Sequence, residues 1–400
     1  MSIYSSLQAA PKDPILGMTE TFNADPAPVK VNLGVGVYQD DTGKTPLMAC
    51  VQTVEQDLAE RHRSRGYLPM DGLAAFNASA QALVFGENSA ACQAGRVVSQ
   101  QSLAGTGALR VGANLLKMAS PDAQLWLSTP SWENHELIFT RAGFELGAYR
   151  YYDRASGGVD VEGMLEDLAG AAPGTVVVLH ACCHNPTGCD LTPADWDRVV
   201  QVVVDNQLVP FLDMAYQGFS HSVDEDRYPV TAFADSGIEF LVANSFSKTF
   251  GLYGERIGAI HFVAADSDRA KKILSQTKLI ARSMYSNPPT QGAAIVAEVL
   301  NTPELKALWA QELSQMKDRM KQMRQVFRAG LEAAGVEQDL SFITAQAGMF
   351  SYSGMSVAQM QRLRSEFHVY GLDSGRLCVA ALNSRNMDLV VESVATVLKD

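Results

Sequence analysis

Cysteine is scarce in this chain, with six in 400 residues: Cys50, Cys92, Cys182, Cys183, Cys189 and Cys378. That is too few for a disulfide scaffold, and the adjacent Cys182 and Cys183 are poorly placed to bridge each other. Reduced thiols and a cytoplasmic location are expected. Long apolar runs are missing too. None approaches the ~18 residues needed to cross a bilayer, and residues 1–14 lack a basic region followed by an apolar stretch, which predicts no signal peptide. Positive charge is in deficit, with 32 Lys and Arg against 44 Asp and Glu and a net charge of −12. Nucleic-acid binding needs a basic face, so no nucleic-acid partner is expected. A local pair of arginines in a pocket still admits small anionic substrates.

Two motifs fall short of their own chemistry. The run His180-Ala-Cys-Cys-His184 has no second Cys/His cluster at zinc spacing and continues the buried-strand pattern of Val176, Val177, Val178 and Leu179, so no metal is expected. Gly43-Lys44-Thr45 resembles the end of a P-loop, but the glycine five positions earlier is absent, because position 38 is Tyr38.

What is present is an ordinary globular composition, 47% hydrophobic and 19% charged, long enough for two domains. The middle of the chain alternates short apolar runs with helical stretches. The pattern predicts strands at 124–128, 145–151, 176–181, 208–213, 240–246 and 258–263, and a helix at 193–206 with Thr192 as N-cap and Pro193 in its first position. Such runs predict a mainly parallel sheet covered on both faces, with functional residues at the carboxyl ends of its strands. From 303 to 334 the apolar spacing turns helical. The tail then mixes a strand-like Phe350-Ser-Tyr352, a helix at 357–367 and a strand-like run from Arg376 to Ala380.

Chemistry gathers where the strands end. Lys248 closes the run Asn244-Ser-Phe-Ser-Lys248 and is a candidate Schiff-base amine, since desolvation and nearby cations depress its pKa. Ser245-x-x-Lys248 also matches a penicillin-binding signature, but its companion motifs are absent. Asp213 closes the preceding apolar run and suits a protonated pyridine nitrogen. Tyr216 can donate to a ring oxygen, and Arg256 with Ser245 can bind phosphate. Gly105-Thr106-Gly107 precedes a helical pattern from 108 to 119, whose amino end favours a phosphate monoester. Asn185, Trp132, Arg282 and Arg376 follow other turns or strand ends, and arginine suits bidentate carboxylate binding.

Taken together, Asp13-Pro-Ile-Leu-Gly17, Asn32-Leu-Gly-Val-Gly36-Val-Tyr38, Tyr67-Leu-Pro-Met-Asp-Gly72, Gly105-Thr-Gly-Ala-Leu109, Trp132-Glu-Asn-His135, His184-Asn-Pro-Thr-Gly188, Asp213-Met-Ala-Tyr216, Ser245-Phe-Ser-Lys248 with Arg256, Tyr285-Ser-Asn-Pro-Pro289 and Ser374-Gly-Arg376 resemble the class I aminotransferases of the aspartate and aromatic-amino-acid group. The cues Trp-Glu-Asn-His, Ala-Cys-Cys-His and Leu-Tyr-Gly-Glu-Arg are most similar to the bacterial aromatic enzymes. The resemblance implies an α/β chain of fold type I. A large domain, 46–315, would carry a mainly parallel seven-stranded sheet and pyridoxal 5′-phosphate. A smaller α+β domain would combine 13–45 with 316–400, and an arm would span 1–12.

It also implies roles. Lys248 would form the Schiff base and shuttle the proton. Asp213 would pair with the pyridine nitrogen, supported by His135 and by His180. Asn185 and Tyr216 would hold the ring oxygen, and Trp132 would stack on the ring. Gly105, Thr106, Ser245 and Arg256 would hold the phosphate, joined by Tyr67 of a second subunit. Arg376, with Gly36 and Asn185, would clamp the substrate α-carboxylate. Arg282, also from the second subunit of a homodimer, would meet a side-chain carboxylate. The implied reaction moves an amino group from tyrosine, phenylalanine or aspartate to 2-oxoglutarate. The rivals are a strict aspartate enzyme, a lyase or decarboxylase of the same fold, and a non-catalytic sensor. The last is disfavoured because the motifs begin by Asp13 and the chain is acidic.

Overall fold

A strand buried on both faces tends to be a near-continuous apolar run, and its alternate side chains enter different cores. Val176–His180 does this. Val176 and Val178 enter one core, and Val177 and Leu179 enter another. It belongs to a seven-stranded sheet in this computed structural model, which describes all residues except Met1, Pro11, Lys12, Pro14, Arg63, Arg65 and Asp400, and all described side chains but that of Leu16. Parts of the expected arm 1–12 and of the Asp13–Gly17 motif therefore lie outside the described residues.

The strands are β1 (Val97–Leu103), β2 (Leu125–Thr129), β3 (Leu146–Arg150), β4 (Val176–His180), β5 (Val209–Met214), β6 (Phe240–Ser245) and β7 (Ile257–Val263). Their spatial order is β1-β7-β6-β5-β4-β2-β3. Only β7 runs against its neighbours, and the remaining pairs are parallel. The register sets His180 beside Asp213 and Met214 beside Asn244, so the carboxyl ends of β4, β5 and β6 converge.

Helix α1 (Ala104–Ala119) lies on β6 and β7 and buries Ala108, Leu109, Val111 and Ala113. Gly112 permits this close approach, because a Cβ there would meet the Phe211 ring at 2.5 Å. Further helices are α2 (Glu133–Arg141), α3 (Pro193–Asp205), α4 (Ser267–Met284) and α5 (Pro303–Ala333). In α3, Thr192 forms a full capping box with Asp195 and Pro193 occupies the first turn, as the residue types require. α5 buries Trp309, Leu313, Met316, Met320, Met323, Phe327 and Leu331 at helical spacing.

Residues near the two ends of the chain join in short pairings. Val31–Asn32 runs parallel to Val369–Tyr370, and Phe350–Tyr352 pairs antiparallel with Arg376–Cys378. Among the described residues no helix is long and apolar enough to cross a membrane.

Four details differ from the sequence expectation. β1 went unforeseen, because Gln100, Gln101 and Ser102 are polar yet wholly buried. α1 starts at Ala104, so Gly105, Thr106 and Gly107 form its first turn rather than precede it. The strand after Arg376 stops at Cys378 and gives way to a 3-10 turn, Val379–Ala381. β6 ends at Ser245, which leaves Lys248 in the turn beyond it.

Candidate active site

The convergent strand ends open into a cleft of about 320 Å³. Its lining includes Gly36, Gly105, Thr106, Trp132, Asn185, Asp213, Tyr216, Ser245, Lys248, Arg256 and Arg376, eleven of the residues singled out in the sequence. They come from seven separate stretches of chain, and the topology alone brings them together.

At the floor, Asp213 is the penultimate residue of β5 and is 6% exposed. His135, on the first turns of α2, donates from Nε2 to Asp213 Oδ2 at 2.9 Å, and Ser131 Oγ lies 2.9 Å from His135 Nδ1. Burial pushes the carboxyl of Asp213 up, but the His135 hydrogen bond and the electrostatic pull of its neighbours, Lys248 among them, outweigh it and leave it below its ordinary value. His180 stands 5.1 Å from the His135 ring, and neither of its nitrogens has a partner among the described residues. Burial takes it down to about 3, so it is a neutral ring. Ligand atoms of His135, His180 and Asp213 lie within 4.8 Å of one another.

Lys248 faces this floor, with its Nζ 5.1 Å over the Tyr216 ring. Burial brings its amine down to about 8; Asp213 resists the shift, while Arg256 and Arg376 reinforce it. Burial also raises the Tyr216 hydroxyl well above its ordinary range, so it stays a donor.

One flank is built for an anion. Leu103, the N-cap of α1, makes no side-chain cap, so first-turn N–H groups are left to other acceptors. Ser245, Ser247 and Arg256 stand beside Gly105 and Thr106 in the cleft wall. Ala104 and Arg256 both take left-handed backbone, at φ +55° and +58°, and the Ala104 N–H donates to the Arg256 carbonyl at 3.1 Å.

The opposite flank is a second cationic anchor. Arg376 is 1% exposed. It donates to Asn185 Oδ1 at 3.0 Å and to the Gly34 carbonyl at 2.7 Å, and its guanidinium lies 4.2 Å over the Phe350 ring. Its Nε has no partner among the described residues. Gly36 is required here, because a Cβ would stand 2.6 Å from Phe350 Cζ.

Three expected residues do not line the cleft. His135 stands behind Asp213. Tyr67 is 93% exposed and borders a neighbouring hollow with Arg256. Arg282 is exposed in the last turn of α4, where it donates to the Ser286 hydroxyl. Conversely, Ile15, Val35, Val37, Ser247, Tyr253 and Phe350 line the cleft without having been foreseen. Tyr253 accepts from the Tyr38 N–H at 3.0 Å and so ties the 35–38 segment to the Lys248 loop. Ser247 was within reach of sequence reading, since it sits inside the Ser-Phe-Ser-Lys run.

This arrangement of a buried amine, a carboxylate floor and two cationic flanks agrees with the comparisons. The profile of the family described as aminotransferase class I and II matches residues 28–394. The chain belongs to this family. It is 50% identical to an aspartate aminotransferase of Pseudomonas aeruginosa over the whole of both chains. It is 43% identical to an aromatic-amino-acid aminotransferase of Escherichia coli, across 99% of this chain and all of that one. Among solved structures, an aromatic-amino-acid aminotransferase from Burkholderia pseudomallei, covalently bound to pyridoxal phosphate, superposes with a TM-score of 0.97 at 54% identity over both full chains. The aminotransferase sheet described above is accordingly the fold type I core, α/β and mainly parallel.

Proposed function

We propose that this aminotransferase exchanges amino groups between aromatic amino acids or aspartate and 2-oxoglutarate, with Lys248 as the amine that carries the cofactor. Pyridoxal phosphate is that cofactor, and when bound it supplies an aldehyde that captures amines and a ring that accepts electrons. The cleft's residues fit it. The uncapped first turn of α1, Ser245 and Arg256 suit its phosphate, with Tyr67 of the partner subunit completing that end. Asp213, kept ionised by His135, suits a protonated pyridine nitrogen. Tyr216 and Asn185 suit the ring oxygen, and Trp132 suits the ring face.

The observation that carries the reading is Lys248. It is a buried amine brought down to about 8, between an anionic floor and two arginines. Such an amine is neutral in roughly a tenth of molecules at pH 7, against far below a hundredth for an ordinary lysine, and can take and return the substrate Cα proton at Nζ. Arg376 orients the α-carboxylate with Gly36 and Asn185, and the free Nε adds donor capacity. Arg282 from the partner subunit would meet a second carboxylate. On this reading the protein is a cytoplasmic homodimer, with a large domain at 46–315 and a small one from 13–45 and 316–400.

The test is twofold. Borohydride reduction of the holoenzyme should fix the cofactor to the peptide containing Lys248, and Lys248→Ala should abolish turnover with the fold intact. A label on Lys44 or Lys278 would sink the assignment. Next, kcat/KM should be measured for phenylalanine, tyrosine and aspartate with 2-oxoglutarate. Absence of turnover with both aromatic amino acids would assign a strict aspartate enzyme. Product formed without stoichiometric glutamate would assign a lyase or decarboxylase.

A further inference from the structure

Glu133 occupies the first turn of α2, one residue after Trp132. An acid there has an ordinary explanation, since helix amino ends favour negative charge. Glu136 supplies that charge too, and it is solvent-exposed. Glu133 does something Glu136 does not. Its Oε2 lies 3.9 Å from Arg376 Nη1, and the same oxygen is buried without a hydrogen-bond partner among the described residues. Arg376 answers with an unpartnered buried Nε. It donates to neutral acceptors, the Asn185 amide oxygen and the Gly34 carbonyl. A carboxylate therefore already stands beside the cation proposed to clamp substrate carboxylates.

We propose that Glu133 determines specificity: its carboxylate attends Arg376 when the cleft holds no substrate, and its charge biases the cleft against doubly anionic ligands. This rests on the reading of Arg376 as the α-carboxylate clamp. The charge arithmetic is general. Phenylalanine and tyrosine enter as zwitterions of net charge zero, whereas aspartate and glutamate enter with a net charge of about −1. A fixed negative charge beside the anchor penalises the acids more. The side chain of Glu133 remains 30% exposed, which gives it room to turn to water as a substrate carboxylate arrives and which screens its field.

The test uses the holoenzyme and two inert carboxylates, succinate and 3-phenylpropanoate, with affinities measured by calorimetry. Glu133→Gln keeps the side chain's shape and removes its charge. It should tighten succinate about 5-fold, the scale of a partly screened ion pair, and 3-phenylpropanoate by less. The ratio of kcat/KM for aspartate over phenylalanine should rise by a similar factor. Glu136→Gln removes the same charge from the same helix turn and should leave both ratios unchanged. An unmoved succinate-to-phenylpropanoate ratio in Glu133→Gln, or an equal shift in Glu136→Gln, overturns the proposal. Arg376→Lys distinguishes the underlying reading. It should weaken both carboxylates, and if it weakens neither, the clamp reading falls first. If it weakens both while Glu133→Gln moves nothing, the Glu133 proposal fails alone.

Discussion

A buried amine is costly to keep, and Lys248 shows how large that cost is. Its amine sits at about 8 against an ordinary 10.5. Between those values the unfolded chain holds a proton that the folded chain does not. The penalty on folding is therefore complete below pH 8 and vanishes above about 10.5. A shift of this size corresponds to roughly 3 kcal/mol. In the cofactor-free protein, Lys248→Met should raise Tm at pH 7, with the gain shrinking as melts are repeated towards pH 11. A lower Tm at pH 7 would show that the amine is stabilised where it stands. His180 and His261 carry the same pH signature in a lower window. Both are buried neutral rings at about 3, so the stability they hold above their ordinary 6.5 is lost as pH falls from there towards 3. Activity and stability thus conflict at Lys248, as expected where a group is held away from its preferred state for chemistry.

Among elements, the decisive contact is between the 34–37 segment and the strand at Phe350–Tyr352. Gly36 admits the Phe350 ring, and that ring supports the guanidinium of Arg376 on the neighbouring strand. Gly36→Ala should push the ring off its seat. KM for acidic and aromatic substrates should then rise together by about tenfold, as for a weakened anchor common to both, while the bound cofactor's visible band is unchanged. A loss confined to one substrate class would show that Phe350 shapes the side-chain pocket instead. Sequence reading reached some of these elements and missed others for definable reasons. Six of the seven strands were legible within a residue or two at each end because each is a short, largely apolar run set off by helical stretches. β1 was hidden because its buried Gln101 binds backbone across the fold, accepting from Leu73 N–H and donating to the Pro289 carbonyl. Lys248 and Asp213 were legible because each ends or follows an apolar run, and Arg256 because it comes eight residues after Lys248. Phe350 and Tyr253 were not, since a ring 26 residues before Arg376 becomes its neighbour only through strand pairing, and local spacing carries no trace of that.

At the scale of the whole molecule, one chain supplies a cleft with both cationic flanks and still leaves Tyr67 and Arg282 outside it. On the proposed dimer both would serve a second copy. Leu279 and Met284 lie on the same helix as Arg282 and are 60% and 39% exposed, and Ile3 and Leu7 are exposed near the amino end. Apolar exposure beside a functional cation is expected where two subunits meet around shared sites. Mixing provides a test that geometry within one chain cannot mimic. Lys248→Ala lacks the amine in its own cleft, and Arg282→Asp spoils the cleft of its neighbour. Each homodimer should be inactive with aspartate. In a hybrid dimer, the cleft carrying Lys248 would receive an intact Arg282 from the other subunit. Random mixing makes half the dimers hybrid, and one cleft in each is whole, so about one quarter of wild-type aspartate activity should return. Arg282→Asp alone should keep most of its phenylalanine half-reaction, followed as the change in the cofactor's visible band without 2-oxoglutarate, because an aromatic side chain makes no demand on that charge. If hybrids form and aspartate activity stays absent, Arg282 serves the cleft of its own chain or none, and acidic side chains must be recognised by another cation.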